Sequence, residues 1–209
     1  MPLQNRVSPC GEVFASPARG TLTGNRGGAI HNDTREIVRQ FKSRRWITCR
    51  LEFKGRRRTV MSPGRYTELF FLDEAVSFAA GHRPCAECRR DRFNAFRDAW
   101  MRSSPARSIL PPSADQMDAE LHRHRISPQG RKVTHPARLD SLPDGSFIGI
   151  DGSSYLVFQG AILLWSPQGY QEKLRRQSDS NVTVLTPEPV VECIRHGYTP
   201  EIHPSALAL

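Results

Sequence analysis

Residues 81–88 read Gly-His-Arg-Pro-Cys-Ala-Glu-Cys, a Cys-x-x-Cys knuckle behind a short apolar stretch. Two cysteines in a tight turn at the head of a helix offer convergent sulfurs, which is half of a tetrahedral thiolate zinc site. Zinc wants the other half, because a closed set of four ligands compensates the unfavourable gathering of thiolates. Cys49 is the natural third ligand, since it lies on a predicted strand that a short α/β unit can bring back against Cys85 and Cys88. The fourth is open among His31, Cys10 and His82, with His31 the working choice. Without a metal, Cys85 and Cys88 would be reduced thiols at a helix N-terminus and Cys49 a small buried apolar residue. A redox role would need a thioredoxin-like βαβ setting, which the flanking sequence lacks.

A second group of chemistry-bearing residues surrounds positions 115–124: Asp115, Asp118, Glu120, His122 and His124, with His135 and Asp140 further on. Asp118 and His122 are four apart and share a helix face, the spacing at which two side chains hold one divalent ion that activates water and stabilises phosphoryl charge. Asp118 and His122 are therefore candidate catalytic residues for a metal-dependent nuclease or other DNA-processing enzyme. The bland alternative is a solvated helix, and no nuclease motif is spelled out. The glycine-rich run Arg19–Gly28 lacks the Lys-Ser/Thr of a P-loop, so no nucleotide cofactor is expected. Ser166 and His203 sit in turns without a nucleophile elbow.

Charge identifies the expected partner. The 209 residues carry a net charge of +9, unevenly spread: residues 1–112 hold 21 Lys+Arg against 10 Asp+Glu, and residues 113–209 hold 9 against 11. Arginine supplies most of the excess, and its planar fork suits phosphate and guanine edges. Arg44, Arg45, Arg50, Lys54, Arg56, Arg57, Arg58, Arg83, Arg89 and Arg90 are the candidate nucleic-acid contacts, with DNA the expected partner. Five widely spaced cysteines do not make a disulfide framework, the N-terminus has no apolar targeting region, and the longest apolar runs are too short to span a bilayer. These features predict a cytoplasmic protein without a membrane partner.

The elements that must position these residues follow from periodicity. Trp46–Phe53 alternates as a half-buried strand, and Lys54-Gly55-Arg56-Arg57 reads as a turn into a return strand, Arg58–Met61. Thr67–Phe71 is a strand running into a helix over Asp73–Ala80, which Gly81 ends. Arg89–Met101 places Phe93, Phe96, Ala99 and Trp100 on one helical stripe, expected to be core. Prolines 105, 111 and 112 mark a linker, after which Ala114–Arg125 is a short helix. Phe147–Ile150, Tyr155–Phe158 and Ala161–Trp165, separated by turn residues, describe an antiparallel meander; Val182–Leu185 adds a strand and Pro189–Arg195 a helix. The expected class is α+β. It comprises a Gly/Arg-rich arm over 1–45, a small zinc-stabilised α/β module with its Arg-rich helix over 46–112, and a β-rich domain over 113–209.

The stretch Ile47–Cys88 resembles the zinc-binding domain of the Ada DNA-repair proteins, in which a strand cysteine followed by Arg meets a downstream Arg-Pro-Cys-x-x-Cys. Ile47-Thr48-Cys49-Arg50, Phe70-Phe71, Ala79-Ala80-Gly81 and Arg83-Pro84-Cys85-Ala86-Glu87-Cys88 occupy the matching places over about forty residues. The resemblance implies zinc binding, DNA repair and, at Cys49, a thiolate that accepts a methyl group from phosphotriester damage. One position departs: Phe53 stands where that family has its second cysteine, which removes a thiolate from the centre.

Overall fold

Alternating strands in the first half close into a mixed six-stranded sheet. In this computed structural model, which describes residues 1–55, 59–104, 110–178 and 180–209, the strands are β1 (Gln4–Val7), β2 (Val13–Ala15), β3 (Leu22–Arg26), β4 (Trp46–Arg50), β5 (Leu69–Phe71) and β6 (Arg83–Pro84). Their order is β2-β1-β5-β3-β4-β6. The β1/β5 and β4/β6 pairs are parallel and the others antiparallel. Residues 1–45 are thus woven into the sheet, with β3 in its interior. The expected return strand after β4 is not formed: both edges of β4 are already taken by β3 and β6, and the described residues 59–61 hold no strand.

The second half forms an antiparallel sheet of β7 (His135–Arg138), β8 (Phe147–Ile150), β9 (Ser153–Phe158), β10 (Ala161–Ser166), β11 (Gly169–Arg175) and β12 (Asn181–Val184), in the order β11-β10-β9-β8-β12-β7. Its centre is the predicted meander. Two members are additional: β11 is exposed over its last five residues and so shows no apolar alternation, and β7 carries a proline.

Among the described residues, four α-helices complete the α+β architecture: α1 (Glu74–Ala79), α2 (Arg90–Arg102), α3 (Ala114–Arg125) and α4 (Glu188–Arg195). Ser113 and Gln116 form a reciprocal capping box that starts α3. The α2 stripe is core as expected, since Phe93, Phe96, Ala99 and Trp100 are buried against Val190, Cys193 and Ile194 of α4 and against Phe78 and Tyr198. Among the described residues, no helix is long and apolar enough to cross a membrane.

The division expected near residue 112 separates the two sheets but not their packing. One core cluster takes Val7, Leu69 and Phe71 from the first sheet and Phe147, Leu156 and Leu163 from the second, with α1 buried between them.

Candidate metal centre

The knuckle is held by a chain of positioned elements that begins at Asp73. This residue caps α1, accepting from the Val76 amide at 2.9 Å, and its other oxygen accepts from Tyr170 Oη at 2.7 Å and the His203 amide at 3.0 Å. The next residue, Glu74, is fully buried. It receives Arg89 at 2.8 Å, Tyr198 Oη at 2.7 Å, the Glu201 amide at 2.9 Å and the Arg92 guanidinium. Arg89 also reaches Glu201 at 2.7 Å. Glu74 therefore fixes the start of α2, where the knuckle ends, to α1 and to the C-terminal segment.

Gly81 turns the chain out of α1 with φ at +88°, and a Cβ there would lie 2.8 Å from the Arg125 side chain. Two residues later β6 pairs with β4 in parallel, Ile47 beside Arg83 and Thr48 beside Pro84, and the Cys85 amide donates to Thr48 O at 2.9 Å. That register sets Cys49 beside Cys85, and the knuckle turn returns Cys88. The three sulfurs all lie within 4.8 Å of one another, and among the described residues no other group of His, Cys, Asp or Glu gathers in this way.

Strand alternation decides which way the cluster faces. Trp46 and Thr48 are buried on the inner face, whereas Ile47 and Cys49 share the outer face with Thr23, Asn25 and Phe70. Those outer residues, together with Cys85 and Cys88, border a pocket of about 280 Å³. The trio thus opens into a cleft.

The sulfurs are electrostatically interdependent. Cys85 is pulled well below the ordinary thiol value, mainly by hydrogen bonds from the Cys49 and Cys88 thiols and further by the backbone amides of Cys88 and Glu87. Cys49 is pushed far up by its hydrogen bonds to those two sulfurs and by burial. For Cys88 the Cys49 hydrogen bond alone would lower it, but the Cys85 hydrogen bond and burial leave it raised. One thiolate shared by two thiol protons is what a metal-free thiol trio does. A cation replacing those protons lets all three sulfurs ionise, so the cluster could hold a metal ion.

The other expected site residues lie elsewhere. His31 is buried with Nδ1 2.6 Å from Thr67 Oγ1 and Nε2 3.2 Å from Ser62 O, so both ring nitrogens are engaged away from the trio. His82 is buried against Phe71 and Trp46, Cys10 lies 3.6 Å from Ser154 Oγ, and Cys193 is in the α4 core. Asp118 and His122 engage different partners. Asp118 is gripped by Arg83 at 3.0 and 2.6 Å, while the His122 ring packs on Phe41 and accepts from Arg125 at 3.3 Å. Burial, helped by Arg125 and Arg44, holds His122 below the ordinary histidine value.

Arg83 and Arg89 are likewise internal rather than phosphate-facing, since each answers a buried carboxylate. Arg44, Arg50, Lys54 and Arg90 are exposed; Arg45 is exposed and paired with Asp115 at 2.8 Å. Arg56, Arg57 and Arg58 lie outside the described residues. The residue that sequence reasoning missed is Glu74, which reads as an ordinary acidic residue at a helix start; only the distant Tyr198 and Glu201 reveal its role. No protein-family model, no curated protein and no solved structure matches this chain.

Proposed function

We propose that this chain is a zinc-binding protein that engages DNA through the exposed arginines around a three-cysteine centre, in DNA repair or damage response. The observation that carries it is the convergence of Cys49, Cys85 and Cys88 within 4.8 Å at the edge of an open pocket. Thiolates at this spacing suit zinc, a borderline-soft ion that takes sulfur ligands in a tetrahedron. Bound there, zinc would hold β4 against the knuckle and act as a Lewis acid toward whatever fills its fourth position from the cleft. The chain's own part is to fix the three sulfurs through the β4/β6 register and the Glu74 anchor.

Arg50 and Lys54 follow Cys49, and Arg90 follows Cys88 by two residues, so exposed positive charge borders the centre. Exposed arginines and lysines near one another bind phosphates by displacing counterions, which makes such binding steeply salt-dependent. The repair assignment comes from the Ada-like ordering of residues 47–88.

Native mass spectrometry of protein purified without added metal tests the reading, alongside anisotropy with labelled DNA at increasing salt. The expected result is one zinc per wild-type chain, none in Cys85→Ser, and DNA affinity that falls with salt and with Arg50→Ala/Arg90→Ala. Folded wild type without metal removes the zinc centre. Absent or salt-insensitive DNA binding removes the nucleic-acid partner. Exposure to alkylated DNA with a methyl mass gain on Cys49 would identify the cysteine as the acceptor.

A further inference from the structure

We propose that the cavity bordered by β3, β4 and the segment joining α3 to β7 is a binding site for a small organic phosphate, a phosphate monoester of about nucleotide size. It lies on the opposite face of β4 from the cysteines, since Trp46 and Cys49 point to opposite sides of the strand. Its volume is about 690 Å³, within the range of small-molecule sites.

Besides the exposed Arg39, three cations line this cavity, contributed by three separate parts of the chain: Arg26 from β3, Arg125 from the end of α3, and Lys132. Arg26 and Arg125 expose only 3% and 2% of their surface, and their guanidiniums stack on Trp46 at 4.2 and 4.4 Å. Among the described residues none of the three forms an ion pair with a carboxylate; the nearest acid to Arg125, Asp118, is already committed to Arg83. Their partners are neutral. Arg26 donates to Gly11 O at 2.8 Å, more weakly to Gln40 O and to His82 Nε2, both at 3.4 Å. Arg125 donates to Gly81 O, Arg44 O and His122 Nδ1, and its Nε has no partner among the described residues; Lys132 donates to Ala79 O. A guanidinium has five N–H donors and an ammonium three, so donors remain for a guest.

Burying cations without counter-charge is costly, and it persists where a ligand supplies the missing charge. The cost registers on the groups themselves: desolvation lowers Arg26 and Arg125 to about 9 and Lys132 to about 7. A phosphate offers two charges and several acceptors to such a trio. Val13, Ile37, Ile126 and Leu185 provide apolar wall for an organic body, which a bare anion would leave unused. Glu12, which is exposed, is the only carboxylate among the described lining residues.

The test uses the intact protein at fixed ionic strength, with adenosine monophosphate, inorganic phosphate and unphosphorylated adenosine as probes. Near saturation the monophosphate is expected to raise the melting temperature by roughly 5–10 °C, and adenosine not at all. Lys132→Met is expected to fold with higher stability than the wild type, because it removes an uncompensated cation, and to weaken the monophosphate at least about tenfold. Calorimetry of the wild type in two buffers of different ionisation enthalpy supplies a variant-free readout. Near pH 8 binding should take up a proton, as Lys132 recharges beside Arg26, His82, Cys10 and the guest. The proposal fails if the monophosphate gives neither shift nor heat up to about 10 mM, a concentration that would fill a millimolar site. It fails equally if inorganic phosphate binds and the monoester does not, if binding takes up no proton, or if a folded Lys132→Met responds as the wild type does.

Discussion

Arg83 and Asp118 hold each other in a two-pronged ion pair, Nε to Oδ1 at 3.0 Å and Nη2 to Oδ2 at 2.6 Å, with side chains 4% and 2% exposed. Arg83 is the residue of β6 that pairs with Ile47, so the pair ties α3 to the strand that leads into Cys85. Removing one member of a buried pair leaves an uncompensated charge, at a cost of about 3–5 kcal/mol, whereas replacing both by apolar groups is often neutral. Asp118→Asn should therefore show a large loss in urea denaturation, and Arg83→Met/Asp118→Leu should recover most of it. A nuclease role for Asp118 predicts the reverse: a stable variant that has lost metal-dependent DNA cleavage.

Removing metal from the cysteine trio should loosen the β4/β6 edge. If zinc binds the native state with about a thousandfold excess over its dissociation constant, its loss costs roughly 4 kcal/mol, or about 8–16 °C in melting temperature for a chain of this size. Chelation of the holo-protein checks this, together with a thiol-reagent count in which three of the five cysteines become reactive only after chelation. Because the ligand must be thiolate, lowering the pH should weaken the metal through proton competition. An apo-protein as stable as the holo form would show that the trio does not hold the fold together.

Local pattern made some of this visible in advance. The alternation of Trp46–Arg50 and the turn-punctuated runs of the meander place strands, and the Phe93/Phe96/Trp100 stripe identifies a buried helix face. The cysteine trio was legible as residue types, but the two-residue β6 that gathers it has no periodicity to read. Arg83 and Arg89 were assigned to the surface because charge in a sequence carries no burial information. Asp118, the partner of Arg83, lies 35 residues away, and Arg89 joins the buried Glu74 to Glu201, which lies 112 residues beyond Arg89. The cavity of Arg26, Arg125 and Lys132 is illegible for the same reason, since its lining comes from distant parts of the chain.

Glu74→Gln should weaken the metal centre without touching a cysteine. The carboxylate compensates Arg89 and Arg92 and accepts from Tyr198 Oη and the Glu201 amide. A neutral amide leaves Arg89 buried without full counter-charge and frees the start of α2, next to Cys88. The expected outcome is a loss of about 3–5 kcal/mol and a zinc affinity reduced several-fold in chelator competition. Glu201→Gln, which alters an exposed partner of the same arginine, should do much less. Equal effects of the two variants would show that Glu74 is not the anchor.

Lys132 predicts an inverted pH dependence of stability. Its folded value of about 7 lies below the ordinary lysine value of 10.5, with desolvation the main cause, Cys10 opposing it and Arg26 adding to it. The unfolded chain therefore binds more protons between these limits, and stability must rise with pH across that window. Its contribution is lost as pH falls through about 7. Urea denaturation at pH 7 and pH 9, at constant ionic strength, should show the gain in the ligand-free wild type, on the order of a few kcal/mol. Cysteines of the unfolded chain also titrate in this window, so the decisive quantity is the difference from Lys132→Met measured in parallel. A wild type and variant that respond identically to pH would place the ammonium in water, with its charge unperturbed and no demand for a counter-ion in the cavity.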